Sequence, residues 1–173
     1  MPVREALFAL EREGFVEFSG TGRAFVKALT PQDFEELYTL RLALEPLAAR
    51  LAVPVLKDDI GLLERNIKAT ILAKTVTDVT RLDLEFHEII LNASGNARLL
   101  KLWRSLRGEL ELCLGRLQRF KQLQTRGIRA ETASCHEVLV TAFKTKSGLE
   151  CERLMRQHIL GWREWLPVFP EDE

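Results

Sequence analysis

The sequence predicts an all-α protein: an antiparallel bundle of six to seven helices, with one short helix and a β-hairpin in front of it. Two observations predict this. From residue 30 onward, apolar side chains return every three or four positions, the spacing of one helix face, and the rhythm breaks only at short Pro, Gly or Ser punctuation. Before residue 30, two short strand-like runs flank Ser19-Gly20-Thr21-Gly22, a turn sequence. The chain of 173 residues therefore divides into a front piece, 1–29, and a helical body, 30–173.

Residues 2 to 13 read as a helix. Val3, Ala6, Leu7 and Leu10 share a face, Pro2 suits a first turn, and Gly14 stops the helix. Phe15-Val16-Glu17-Phe18 and Ala24-Phe25-Val26 are the hairpin strands. Thr30 is an N-cap, Pro31 fits the first helical position, and Asp33 favours the positive end of the helix that follows. That helix carries Phe34, Leu37, Leu40, Leu44, Leu47 and Leu51 as one apolar stripe, and Pro54 separates it from a second helix near 56–73 with Ile60, Leu63, Ile67 and Ile71. A third runs from about Val76 to Ala93, with Leu82, Phe86, Ile89 and Ile90 inward, and Ser94-Gly95-Asn96 stops it. A fourth extends from Ala97 to about Phe120 along Leu99, Trp103, Leu106, Leu110, Leu114 and Leu117. A fifth covers roughly Arg129 to Lys144. Ser147 caps a sixth, which ends near Trp165 before Pro167 and Pro170.

Composition narrows the function. Formal net charge is zero, so no bulk field draws the protein to nucleic acid or an anionic membrane, and any DNA contact has to come from a local patch. No apolar run approaches the ~20 residues of a membrane span, and the N-terminus lacks a signal-peptide layout. Cys113, Cys135 and Cys151 are odd in number and unclustered, the pattern of reduced thiols in a cytoplasmic protein. Cys135 adjoins His136; a small buried hydrophobe is favoured there over an extra metal donor.

The chemistry concentrates in the three histidines. Asp83 and His87 lie four apart, so both project from one helix face, beside Phe86 and Ile90. His136 opens an apolar stripe with Val140 and Phe143, and His158 follows Leu154 by four. Each donor thus sits near a face that turns inward. A buried imidazole needs a partner at each ring nitrogen, and a metal ion supplies one. Three imidazoles and one carboxylate are a donor set for a divalent transition ion. His87-Glu88 and His136-Glu137 both begin like His-Glu-x-x-His, but Leu91 and Val140 stand where the second histidine would be.

Pro2-Val3-Arg4-Glu5-Ala6-Leu7, followed by Leu10-Glu11-Arg12-Glu13-Gly14-Phe15-Val16, resembles the recognition helix and wing of GntR-family transcription regulators. Arg41-Leu42-Ala43-Leu44-Glu45, the Asp83/His87 pair, Asn92-Ala93-Ser94-Gly95-Asn96, His136 and His158 resemble the FCD effector domain of the FadR-like subfamily. The resemblance implies a ligand-responsive regulator, not an enzyme. In it Asp83, His87, His136 and His158 hold a divalent metal, zinc first with nickel and manganese as alternatives, and the ion helps bind a small carboxylate or hydroxy-acid. It further implies a homodimer and an operator DNA partner. Arg41 is its candidate effector contact, against the alternative of an Arg41–Glu45 pair on the helix surface. Arg4 and Arg23 are the candidate DNA contacts. A winged helix-turn-helix sets two supporting helices before its recognition helix, and this sequence starts at the recognition helix, so the expectation is an N-terminally truncated DNA-binding piece. Lys101, Arg104, Arg107, Arg116, Arg119, Lys121, Arg126 and Arg129 read as a solvated face, with an acid-pocket role as the alternative. Two rival functions stand beside the regulator: a metal-dependent enzyme on a helical bundle, and a regulator remnant acting through mixed dimers.

Overall fold

The computed structural model describes residues 2–12, 15–27, 30–125 and 127–165. The stop expected at Gly14, the arginine at 126, and Pro167 and Pro170 lie outside them. Helix α1 (Pro2–Arg12) precedes antiparallel strands β1 (Val16–Phe18) and β2 (Ala24–Val26), paired Val16 to Val26, Glu17 to Phe25 and Phe18 to Ala24. Gly22 closes the turn at φ +78, a left-handed conformation that favours glycine. No residue of α1 is buried; Phe8 meets Phe18 of the hairpin, with ring centroids 5.2 Å apart.

The body contains α2 (Pro31–Asp58), α3 (Gly61–Leu72), α4 (Val76–Ala93), α5 (Ala97–Thr125), α6 (Ile128–Thr145) and α7 (Gly148–Gly161), closed by a 3-10 turn at Trp162–Trp165. Three helices start with reciprocal capping boxes: Thr30 with Asp33, Thr75 with Asp78, and Ser147 with Glu150. Asn96 Oδ1 accepts from the Leu99 N–H at the start of α5, after Gly95 turns the chain at φ +68.

Two expectations need correcting. Pro54 does not end a helix: α2 runs through both Pro46 and Pro54 and stops at Asp58. A proline inside a helix removes one hydrogen bond to the carbonyl four residues earlier, here that of Arg50. The first residue of α7 lies against that carbonyl, since a Cβ on Gly148 would sit 3.0 Å from Arg50 O. Contact with α7 therefore supports α2 where its own ladder lapses. The buried stripe of α2 is also not the leucine row. Leu40 and Leu51 are exposed, whereas Phe34, Leu37, Arg41, Glu45, Ala48, Ala49, Ala52 and Leu56 face inward. The alanines let α7 approach closely, so the stripe is set by small side chains and one polar pair, not by hydrophobicity alone.

Among the described residues two large apolar groups and a small third, around Val79, Leu82 and Ile128, fill the bundle. Ile67, Phe86, Leu139, Phe143 and Met155 lie in one, and Phe34, Leu37, Leu84, Trp103, Leu110 and Leu114 in the other. Helix α4 contributes to both, which puts its polar residues Thr80, Asp83 and His87 at the centre of the molecule.

Candidate metal centre

Asp83 and His87 project from adjacent turns of α4, His136 from α6 and His158 from α7. The first three are buried and His158 is half-buried. One nitrogen of each imidazole lies within 4.8 Å of the corresponding atoms of the other two. His87 Nε2 faces His158 Nε2 at 3.3 Å, and Asp83 Oδ1 lies 3.5 Å from His87 Nε2 and 3.3 Å from His136 Nε2. The sequence-predicted donors are thus brought together around one point.

The donor chemistry fits a cation. Buried polar atoms almost always have hydrogen-bond partners, yet Asp83 Oδ1 and both ring nitrogens of His136 have none. Two Nε2 atoms facing each other are mutually satisfied only if one carries a proton, whereas an ion between them would satisfy both lone pairs. Burial, reinforced by the neighbouring His87 and His136 rings, pushes His158 well below the ordinary imidazole pKa. Burial also lowers His136, against the pull of Asp83. Both rings are held neutral, the form that ligates metal. Burial works to raise the Asp83 carboxyl, but His136 and His87 beside it hold it below the usual carboxylate range.

Around these donors lies a set of supporting contacts. Glu45 is its hub. It accepts from Arg41 Nε at 2.6 Å, from Arg41 Nη2 at 3.1 Å and from Trp103 Nε1 at 2.9 Å. Its Oε2 sits 2.7 Å from His87 Nδ1, a contact not aligned as a hydrogen bond. Burial opposes ionisation of Glu45, and the Arg41 charge followed by His87 overcomes it, holding the carboxyl low. His87 is raised: burial lowers it, and the Glu45 and Asp83 carboxylates together more than offset that. On the other side, Gln118 Nε2 donates to Asp83 Oδ2 at 2.7 Å, and Thr80 Oγ1 donates to Gln118 Oε1 at 2.8 Å. Phe86 stacks on the His136 ring, centroids 3.7 Å apart and planes 7° apart. The rings nearest the donors are thereby fixed from behind.

Arg41 is neither on the surface nor open to solvent. The Arg41–Glu45 pair that its spacing suggested is buried, with the guanidinium 4.2 Å above the Trp162 ring and Nη1 without a partner. Cys135 is exposed, not buried as read from sequence, because its position on α6 falls one step off the inward face that holds His136. A cavity of about 270 Å³ reaches the donors, lined among others by Asp83, His136, His158, Thr132, Cys135 and Trp162. Of the basic row on α5, Lys101, Arg104, Arg116 and Arg119 face solvent, and Arg107 and Lys121 are half-buried. Arg104 donates to Glu88 at 2.7 Å, Arg107 pairs with the same carboxylate, and Lys121 meets Glu131 at 3.1 Å. Arg4 and Arg23 are exposed, Arg4 beside Phe8 and Arg23 in the hairpin turn.

Glu45, Trp103 and Gln118 were not foreseen as parts of this site. One signal was present for Gln118: it stands one turn after Leu114 on the stripe that α5 buries, a polar residue at an apolar position.

The family model of the FCD domain matches residues 36–161. The chain is 31% identical over 166 residues to the Nta operon transcriptional regulator of Aminobacter aminovorans, covering 91% of this chain and 73% of that protein. It is 28% identical over 117 residues to the HTH-type transcriptional regulator YdhC of Bacillus subtilis, covering 65% of this chain, and it spans about half the length of that relative, 52%. It shares its fold with McbR/YncC of E. coli at a TM-score of 0.67 and 21% identity, covering 94% of this chain and 79% of the other.

Proposed function

We propose a function from one premise: the chain belongs to the FCD domain family of GntR-type transcriptional regulators. The reading is that of an effector-responsive transcription regulator. Its helical body holds a divalent metal on Asp83, His87, His136 and His158 and binds a small organic acid beside it. The observation that carries this is the convergence of three imidazole nitrogens within 4.8 Å of one another, next to a buried carboxylate oxygen that has no hydrogen-bond partner. A nitrogen-rich set with one carboxylate suits zinc, with nickel and manganese as the nearest competitors. Such an ion supplies positive charge and open coordination positions for an acid's oxygens.

Arg41 is proposed to act on the effector indirectly, through Glu45, because it does not line the cavity that reaches the donors. Contact with operator DNA is proposed through Arg4 and Arg23, and the working unit is proposed to be a homodimer in the cytoplasm. Among the described residues, no helix is long and apolar enough to cross a membrane.

Elemental analysis of the purified protein tests the metal directly. About one divalent ion per chain is expected, with His87→Ala losing it and losing the rise in melting temperature that the ion gives, because a ligand of the folded state alone stabilises that state. Protein that carries no ion, and melts identically with and without the His87 ring, would sink the reading.

A further inference from the structure

We infer that a second, smaller cavity, between α2, α5 and the 3-10 turn, binds one halide-sized monovalent anion such as chloride, held by Arg41 Nη1 and the Tyr38 hydroxyl. None of the four metal donors lines this cavity, so the inference stands apart from the metal-and-effector reading.

Two of the residues that line the cavity carry buried polar atoms without a hydrogen-bond partner, Arg41 at Nη1 and Tyr38 at its hydroxyl. They stand three apart on α2, so they share a face. Arg41 is buried at 3% exposure and donates Nε and Nη2 to Glu45, which leaves the Nη1 edge of the guanidinium unused. Buried polar groups nearly always have partners, so two unmatched donors at one cavity point to a ligand. Charge says which sign. The guanidiniums of Arg41 and Arg163 line the cavity, and among the described residues no carboxylate does. Glu45 and Glu35 meet those guanidiniums from outside it.

Size limits the ligand to a single atom or a water. The cavity holds about 30 Å³. One water needs about 10–15 Å³, and sites for organic ligands begin at roughly 300 Å³, so an organic acid does not fit. Hydrogen-bonding capacity then favours the anion. Nη1 offers two hydrogens and the Tyr38 hydroxyl one. A water accepts two of them at most, and its own hydrogens meet a wall whose acceptors are the Tyr38 oxygen and the weakly accepting Cys113 sulfur. The rest of that wall is apolar, with Phe34, Leu37 and Leu114 among it. An anion accepts all three hydrogens. A buried anion has to be paired and hydrogen-bonded, and the guanidinium supplies both, through charge-assisted bonds.

Bromide, which scatters X-rays anomalously, tests the site in crystals of the metal-free protein. One anomalous peak is expected within hydrogen-bonding distance of both Arg41 Nη1 and the Tyr38 hydroxyl. In solution, the metal-free protein should broaden the chloride-35 resonance. Bromide should reverse that broadening, and sulfate at matched ionic strength, too large for the cavity, should leave it. Tyr38→Phe removes only the hydroxyl. It should weaken chloride binding about tenfold or more, the loss of one hydrogen bond to a charged group. In sulfate it should melt no lower than the parent, because that hydroxyl has no partner in the protein to lose. Bromide crystals with water-like, non-anomalous density at this point overturn the inference, as does a Tyr38→Phe protein that broadens the resonance as strongly as the parent. Both results leave the metal reading untouched, since no metal is present in either experiment.

Discussion

Glu45→Gln removes a charge and almost no volume, which makes it a stringent probe of the buried hub. Glu45 accepts from Arg41 Nε and Nη2 and from the Trp103 indole, and lies 2.7 Å from His87 Nδ1. The amide leaves the Arg41 guanidinium as an uncompensated charge at 3% exposure, and breaking a buried pair from one side costs about 3–5 kcal/mol. The same change takes away the carboxylate behind His87, and the loss of such a supporting group lowers metal affinity by roughly 10–100-fold, or about 1.4–2.7 kcal/mol. Urea unfolding with a chelator present measures the first quantity, and competition against a chromophoric chelator measures the second. The double substitution Arg41→Met with Glu45→Leu separates them. It should recover most of the stability, since both charges leave together, while metal affinity stays low. A Glu45→Gln protein that unfolds within about 0.5 kcal/mol of the parent and holds metal equally well would refute the assignment of Glu45 as the support of His87.

Two further outcomes follow from the geometry. In chelator, the protein should lose stability as pH falls from about 6 through 4. Glu45 and Asp83 have lowered folded pKa values, so their stabilisation is present above the unfolded carboxyl pKa and is lost below it. His136 and His158, also lowered, lose theirs as the pH drops through the unfolded imidazole pKa, while His87, raised, works in the opposite direction. A urea midpoint that stays flat across that range would contradict this balance. Gly148→Ala should destabilise by about 1–3 kcal/mol, because the new methyl meets the Arg50 carbonyl at 3.0 Å and pushes α7 off α2; circular-dichroism melting reads it, and an unchanged melting temperature would show that the two helices give way freely.

Much of the architecture was legible because local signals agreed with one another. The span Val76–Ala93 was read from periodicity and punctuation alone, and its Thr75–Asp78 capping box fixes that start physically. That Asp83, His87, His136 and His158 turn inward toward one another was legible because each sat next to an apolar stripe on its own helix. What escaped sequence reading depends on pairs of helices. The inward face of α2 is set by alanines that admit α7, so the bulkier Leu40 and Leu51 were read inward although they face solvent. Pro54 looked like a stop because the compensating contact comes from Gly148, far along the chain. Glu45 looked like half of a surface pair because nothing local to α2 shows that α4 and α5 bring His87 and Trp103 to it.

The scatter of the donors along the chain has a consequence for kinetics. Asp83 and His87 are neighbours on α4, but His136 and His158 arrive from α6 and α7, so the full set assembles only after three helices have docked. Contacts between residues so distant in sequence form late, once loop closure has been achieved. An ion held at this point has little to grip in a half-formed chain. Its effect would fall on the exit route: it would slow unfolding and leave the folding rate nearly untouched, as expected of interactions absent from the transition state.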